Sequence, residues 1–114
     1  MEQTTKVAAF EPTREDLELA KVLYALSDPV RLRMVAELHR LGEVPCGTVA
    51  AELPKSTRSH HLKVLREAGI TRTRFEGTER RTRLRYDCLE ARFPGLLRSV
   101  LSSAPHRDPD GSET

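Results

Sequence analysis

Apolar positions first recur with a helical period between residues 14 and 27. Leu17, Ala20, Leu23 and Tyr24 form one stripe, and Leu19, Val22 and Leu26 form another. Thr13 with Asp16 three positions on resembles a helix start, although a capping box prefers Glu or Gln at the second place. A short helix with two apolar stripes must touch two surfaces, its own core and a second one that a partner subunit can supply. A second helix begins at Asp28 and Pro29. Asp accepts from the orphan amides of a first turn, and Pro at the first helical position gives up an N–H that had no partner. Val30, Met34, Val35, Leu38 and Leu41 give this helix its apolar face, and Gly42 ends it. A short third helix is predicted over residues 46–53, where Pro54 blocks continuation. A fourth is predicted over residues 56–68, with Leu62, Leu65 and Ala68 inward and Gly69 at the usual stop position.

The period then changes from 3.6 to two. Residues 70–75 and 81–86 alternate, with Gly77 between them, as a β-hairpin does. Arg81, Arg83 and Arg85 share one face of the second strand, and Thr82, Leu84 and Tyr86 share the other. Two short helices with a tight break, followed at once by a hairpin, make a winged helix-turn-helix. A last helix opens at Pro94 and Gly95, with Leu96, Leu97, Val100 and Leu101 on its apolar side. The fold class expected is mainly α with a small β-hairpin, in the order α-α-α-α-β-β-α. Residues 1–11 are expected to be a flexible arm, residues 12–103 the DNA-binding and dimerisation domain, and residues 104–114 a disordered tail.

Charge sharpens this reading. The whole chain of 114 residues carries a net +2, but residues 55–85 hold ten basic and three acidic groups. A block of that density suits a polyanion, or it is a solvated face that keeps the protein soluble. Its placement on a helix-turn-helix and wing favours double-stranded DNA. Lys55, Ser56, Thr57, Arg58, Ser59, His60 and Lys63 lie on the first turns of the fourth helix, where such a helix meets base edges. Arg74, Thr78, Arg80, Arg81 and Arg83 lie on the wing and suit phosphate contact or a minor groove. Ser56 read only as a cap, and Arg58 only as a solvated charge, is the plainer alternative.

Other classes fare worse. No glycine-rich phosphate loop, nucleophile elbow or HExxH is present, so an enzyme is not expected. A winged-helix protein-interaction module without sequence-specific DNA binding would not need so many cations. No stretch approaches the ~20 apolar residues of a membrane span, no leader is evident, and two cysteines do not suggest a disulfide framework. The cytoplasm is the expected compartment.

Several stretches resemble the ArsR/SmtB family of bacterial regulators. LSDPVRLRM (residues 26–34) resembles the family's second-helix signature, and SHHLKVLREAGI (59–70) its recognition helix and exit. RFEG (74–77) resembles the wing tip, and RFPGLL (92–97) the start of the last helix in one branch. The resemblance covers roughly residues 14–102 in the right order. It implies a homodimer through the first and last helices, an inverted-repeat operator, and control by a small effector or metal. Many members carry a Cys-x-Cys metal box entering the third helix; here EVPCG (43–47) has one thiol, and the stretch leading to the recognition helix is shorter. A divalent transition metal, nickel or zinc, would then need a mixed ligand set, for which Asp87, Cys88, Glu90 and His106 are the candidates. Their spacing matches no established site. His60 and His61 are adjacent on a helix and point ~100° apart, so one metal cannot easily take both.

Overall fold

The computed structural model describes residues 10–103. A 3-10 turn at Arg14–Asp16 leads into α1 (Leu19–Ala25) and α2 (Pro29–Leu41). Strand β1 (Val44–Pro45) and a second 3-10 turn (Cys46–Thr48) precede α3 (Lys55–Glu67). The hairpin β2 (Thr71–Glu76) and β3 (Glu79–Leu84) follows, then α4 (Tyr86–Arg92) and α5 (Leu96–Ser103). The architecture is the winged helix-turn-helix read from the sequence. Its core joins Val22 and Ala25 of α1, Met34, Val35 and Leu38 of α2, and Leu62 and Leu65 of α3. Ile70, Leu84, Leu89 and Leu97 close it from the wing side.

The start of α2 forms as its sequence dictates. The Asp28 carboxylate accepts from the amides of Val30 (2.9 Å) and Arg31 (3.1 Å), with Pro29 at the first helical position. Four elements differ from the sequence reading. The helix expected over residues 14–27 is broken at Leu17 and Glu18, which are both extended. Leu17 is buried there against Gly69, a contact that a continuous helix would not place. The helix expected over residues 46–53 shrinks to the Cys46–Thr48 turn, because Ala50 takes a left-handed φ of 52°. The amide of Ala50 donates to the Glu37 carboxylate of α2 at 3.0 Å, so a tertiary partner replaces the helical one. Strand β1 pairs with β3 through Val44 opposite Thr82, giving a sheet ordered β1-β3-β2. Two residues are too few to display a period. Helix α4 forms over Tyr86–Arg92, where the sequence pattern predicts no helix.

The hairpin runs closer to its tip than the alternation suggested. Glu76 pairs with Glu79 across a two-residue turn of Gly77 and Thr78. Gly77, at φ 65°, occupies the first turn position, where a tight hairpin asks for positive φ. At the other end, two residues assigned to the arm are docked. The Phe10 carbonyl accepts from Arg66 Nε (3.2 Å). The Glu11 carboxylate accepts from Arg72 Nε (2.9 Å) and the Thr73 amide (3.1 Å). The rest of the arm, residues 1–9, and the tail 104–114 lie outside the described residues.

Candidate nucleic-acid interface

Helix α3 buries Leu62 and Leu65 and leaves Lys55, Ser56, Thr57, Ser59, His60 and Lys63 exposed. These six form a polar face of hydroxyls, one imidazole and two ammonium groups. The helix begins one residue earlier than expected, with Pro54 at the cap and no side-chain cap bond. Ser56 is therefore not a cap, and its hydroxyl is free for another partner. First-turn amides have no helical acceptor and favour an anion. Arg58 behaves differently from its neighbours. It is half-buried and folds back, donating to the Leu53 carbonyl at 3.1 Å.

His60 is exposed and His61 half-buried, as the 100° rule predicts. His61 Nδ1 lies 3.1 Å from an Arg31 guanidinium nitrogen and 4.0 Å from Asp28. Burial, together with the Arg31 charge, pushes the His61 pKa down despite Asp28. His61 is therefore neutral at pH 7 and accepts from Arg31 through Nδ1. Arg31 is itself buried and donates from Nε to the Ala25 carbonyl (2.7 Å). One guanidinium thus ties the end of α1, the start of α2 and the flank of α3 together. Sequence reading missed it because a lone Arg in a helix reads as surface.

The outer face of the wing carries two like-charged cross-strand pairs, Arg72 opposite Arg83 and Arg74 opposite Arg81. Like charges directly opposite each other destabilise a sheet. The second pair is neutralised: Glu43 reaches Arg74 at 2.6 Å and Arg81 at 3.7 Å, and Glu76 reaches them at 3.3 and 3.6 Å. Glu79 adds a 3.0 Å contact to Arg81. Glu43, just before β1, was not singled out by sequence. Arg74 and Arg81 are therefore half-buried members of an ion network, whereas Thr78, Arg80 and Arg83 are exposed. Arg85 does not share their open face. It is 3% exposed and donates to the Pro12 carbonyl at 2.8 Å.

The metal candidates do not converge. Among the described residues, no three of His, Cys, Asp and Glu gather as a metal would require. Glu90 accepts from the Gly95 amide (3.3 Å), and Cys88 receives a 3.5 Å contact from Arg85. His106 lies outside the described residues. Cys46 is half-buried and reduced; burial pushes its thiol pKa up, against Arg80, Arg66 and Arg58.

A basic helix-turn-helix with an exposed first turn, joined to a cationic wing, defines a DNA-binding transcription regulator rather than an enzyme. Comparison with known proteins places the chain more closely. A family model described as a helix-turn-helix domain matches residues 26–74. The chain is 37% identical over 89 residues to the uncharacterized HTH-type transcriptional regulator YceK of Bacillus subtilis, spanning 75% of this chain and 89% of that one. It is 40% identical over 63 residues to the cadmium resistance transcriptional regulatory protein CadC homolog of Staphylococcus aureus, covering 54% and 52% of the two chains. The transcriptional repressor BigR of Xylella fastidiosa superposes with a TM-score of 0.59 at 35% identity, over 80% of this chain and 95% of that one. The chain belongs to the ArsR/SmtB family of winged helix-turn-helix transcription regulators, in a form without the Cys-x-Cys box. Among the described residues no helix is long and apolar enough to cross a membrane.

Proposed function

We propose that the protein acts as a homodimer on an inverted-repeat operator and answers to an effector. Helix α3 enters the major groove, and the wing follows the backbone or the adjacent minor groove. The observation that carries this reading is the exposed polar first half of α3, backed by the buried Leu62 and Leu65. Lys55 and Lys63 suit phosphates, while Thr57, Ser59 and His60 suit base edges. On the wing, Thr78 and Arg80 are exposed and free to reach DNA. A homodimer is supported by α1, where Leu19 and Leu23 are each 47% exposed and Tyr24 is 66% exposed. Three large apolar side chains on one short helix are a surface that a second copy would cover.

The test is fluorescence anisotropy with a duplex selected from a random library. His60→Ala or Ser59→Ala should reduce discrimination between selected and random DNA by about 1–3 kcal/mol. Lys55→Ala should weaken both equally and lower the salt slope by about one. Failure of the wild type to bind any duplex at low salt overturns the reading and leaves a protein-interaction module.

A further inference from the structure

Four arginines converge at the base of the wing, away from the reading face of α3. Arg72 and Arg83 face each other across the hairpin, and Arg14 and Arg85 approach from the first 3-10 turn and the end of β3. With Tyr86, Asp87 and Cys88 they line an open cavity of about 280 Å³. The charge is unbalanced. Glu11 offsets Arg72 at 2.9 Å, and Asp87 is the carboxylate on the rim. Arg83 has no carboxylate partner among the described residues. This separates the Arg72–Arg83 pair from the Arg74–Arg81 pair, which three glutamates neutralise.

Arg85 supplies a second, independent sign. It is 97% buried, its terminal nitrogens reach the Pro12 carbonyl and Cys88 Sγ, and its Nε has no partner among the described residues. Its buried guanidinium therefore keeps an unpaired N–H and a full positive charge in the wall of the cavity. The same guanidiniums act on Cys88. Burial alone would raise the Cys88 pKa, but hydrogen bonds and charge from Arg85 and Arg14 outweigh it and hold the thiol below its ordinary value.

We propose that this cavity is an oxyanion site, built to take a phosphate, a sulfate or the phosphoryl group of a small metabolite. Forked guanidiniums match the geometry of such groups and bind them through paired N–H donors. At about 280 Å³ the cavity lies at the low end of the roughly 300–1,000 Å³ that ligand pockets span, which suits a small anion or metabolite. The free anion is its ligand, rather than a backbone phosphate of DNA. The site stands apart from the α3 surface, so its test does not depend on operator recognition.

Cys88 reports occupancy. Inorganic phosphate is titrated into the DNA-free protein, and alkylation of Cys88 by iodoacetamide is followed by peptide mass spectrometry, with Cys46 as internal reference. At ten times the dissociation constant, phosphate should slow Cys88 alkylation about tenfold by mass action. Cys46 should not respond. Arg14→Gln and Arg83→Gln alter exposed side chains, so they should fold normally and abolish the protection. No protection at millimolar phosphate or sulfate overturns the proposal, as does equal protection in both variants. Protection by duplex DNA but not by free phosphate also overturns it and assigns the arginines to backbone contact.

Discussion

Gly69 sits where three parts of the chain meet. Its φ of 89° lies in the left-handed region, and a Cβ there would come within 2.0 Å of Leu17 Cδ2 and 3.0 Å of Pro12 Cγ. Gly69→Ala should therefore cost about 2–4 kcal/mol in urea unfolding, from backbone strain plus overpacking. His61 sets a pH dependence. Its folded pKa lies below the ordinary 6.5, so the unfolded chain takes up a proton first. Stability is then full above pH 6.5 and falls as pH drops through the folded value. Protonation also breaks the acceptance from Arg31 and sets two cations side by side. The melting temperature should fall on going from pH 7 to pH 5, and His61→Gln, which can still accept but does not titrate, should flatten that slope. Asp28 acts in a lower window. Burial raises its pKa, but the amides of Arg31 and Val30 and the Arg31 charge outweigh this and hold it below 3.8. Its contribution is lost only as pH falls below that value.

The wing shows how one element divides its charges between structure and binding. Arg74 and Arg81 neutralise Glu43, Glu76 and Glu79, and Arg81 also donates to the Glu43 carbonyl at 3.2 Å. Together they tie the hairpin to the β1 edge. Arg80 and Arg83 keep their charge for solvent or ligand. Arg80→Ala should lower affinity for all DNA and the salt slope by about one, with little change in melting temperature. Arg81→Ala should do the reverse, lowering the melting temperature while leaving the salt slope nearly unchanged. Equal salt effects for the two variants would mean that the ion network opens on DNA. Charge counting along the sequence weighted these arginines equally, since it does not see which glutamate arrives from β1.

At the scale of the whole molecule, α1 presents apolar side chains that the fold leaves uncovered, with Leu19 and Leu23 each 47% and Tyr24 66% exposed. Leu97, on the apolar side of α5, is 7% exposed and packs in the core with Leu89 and Ile70. A charge there would unfold the chain and would not test an interface. Leu23 is the better probe, because its side chain is half outside the fold. Leu23→Glu should yield a folded monomer by light scattering and circular dichroism, with binding to an inverted repeat weakened to that of a single half-site. A variant that remains dimeric would place the partner surface elsewhere.

Sequence by itself determined the elements that rest on local chemistry. The Asp28-Pro29 start, the Leu62–Leu65 spacing of α3, and the alternation around Gly77 each encode their structure within a few residues. The same local signals located the polar face of α3 and the cationic block on the wing. Tertiary structure decided everything that depends on a distant partner. Leu17 leaves the helical path to dock on Gly69, 52 residues further along the chain. Glu37 draws the Ala50 amide out of a helix, and Val44 finds Thr82 across the sheet. The roles of the arginines were divided in the same way: Arg31 and Arg85 became buried pins, Arg74 and Arg81 ion-pair partners, and Arg80 and Arg83 open cations. A guanidinium is the same group at every position, and its task is set by which carbonyl or carboxylate the fold brings within about 3 Å of it.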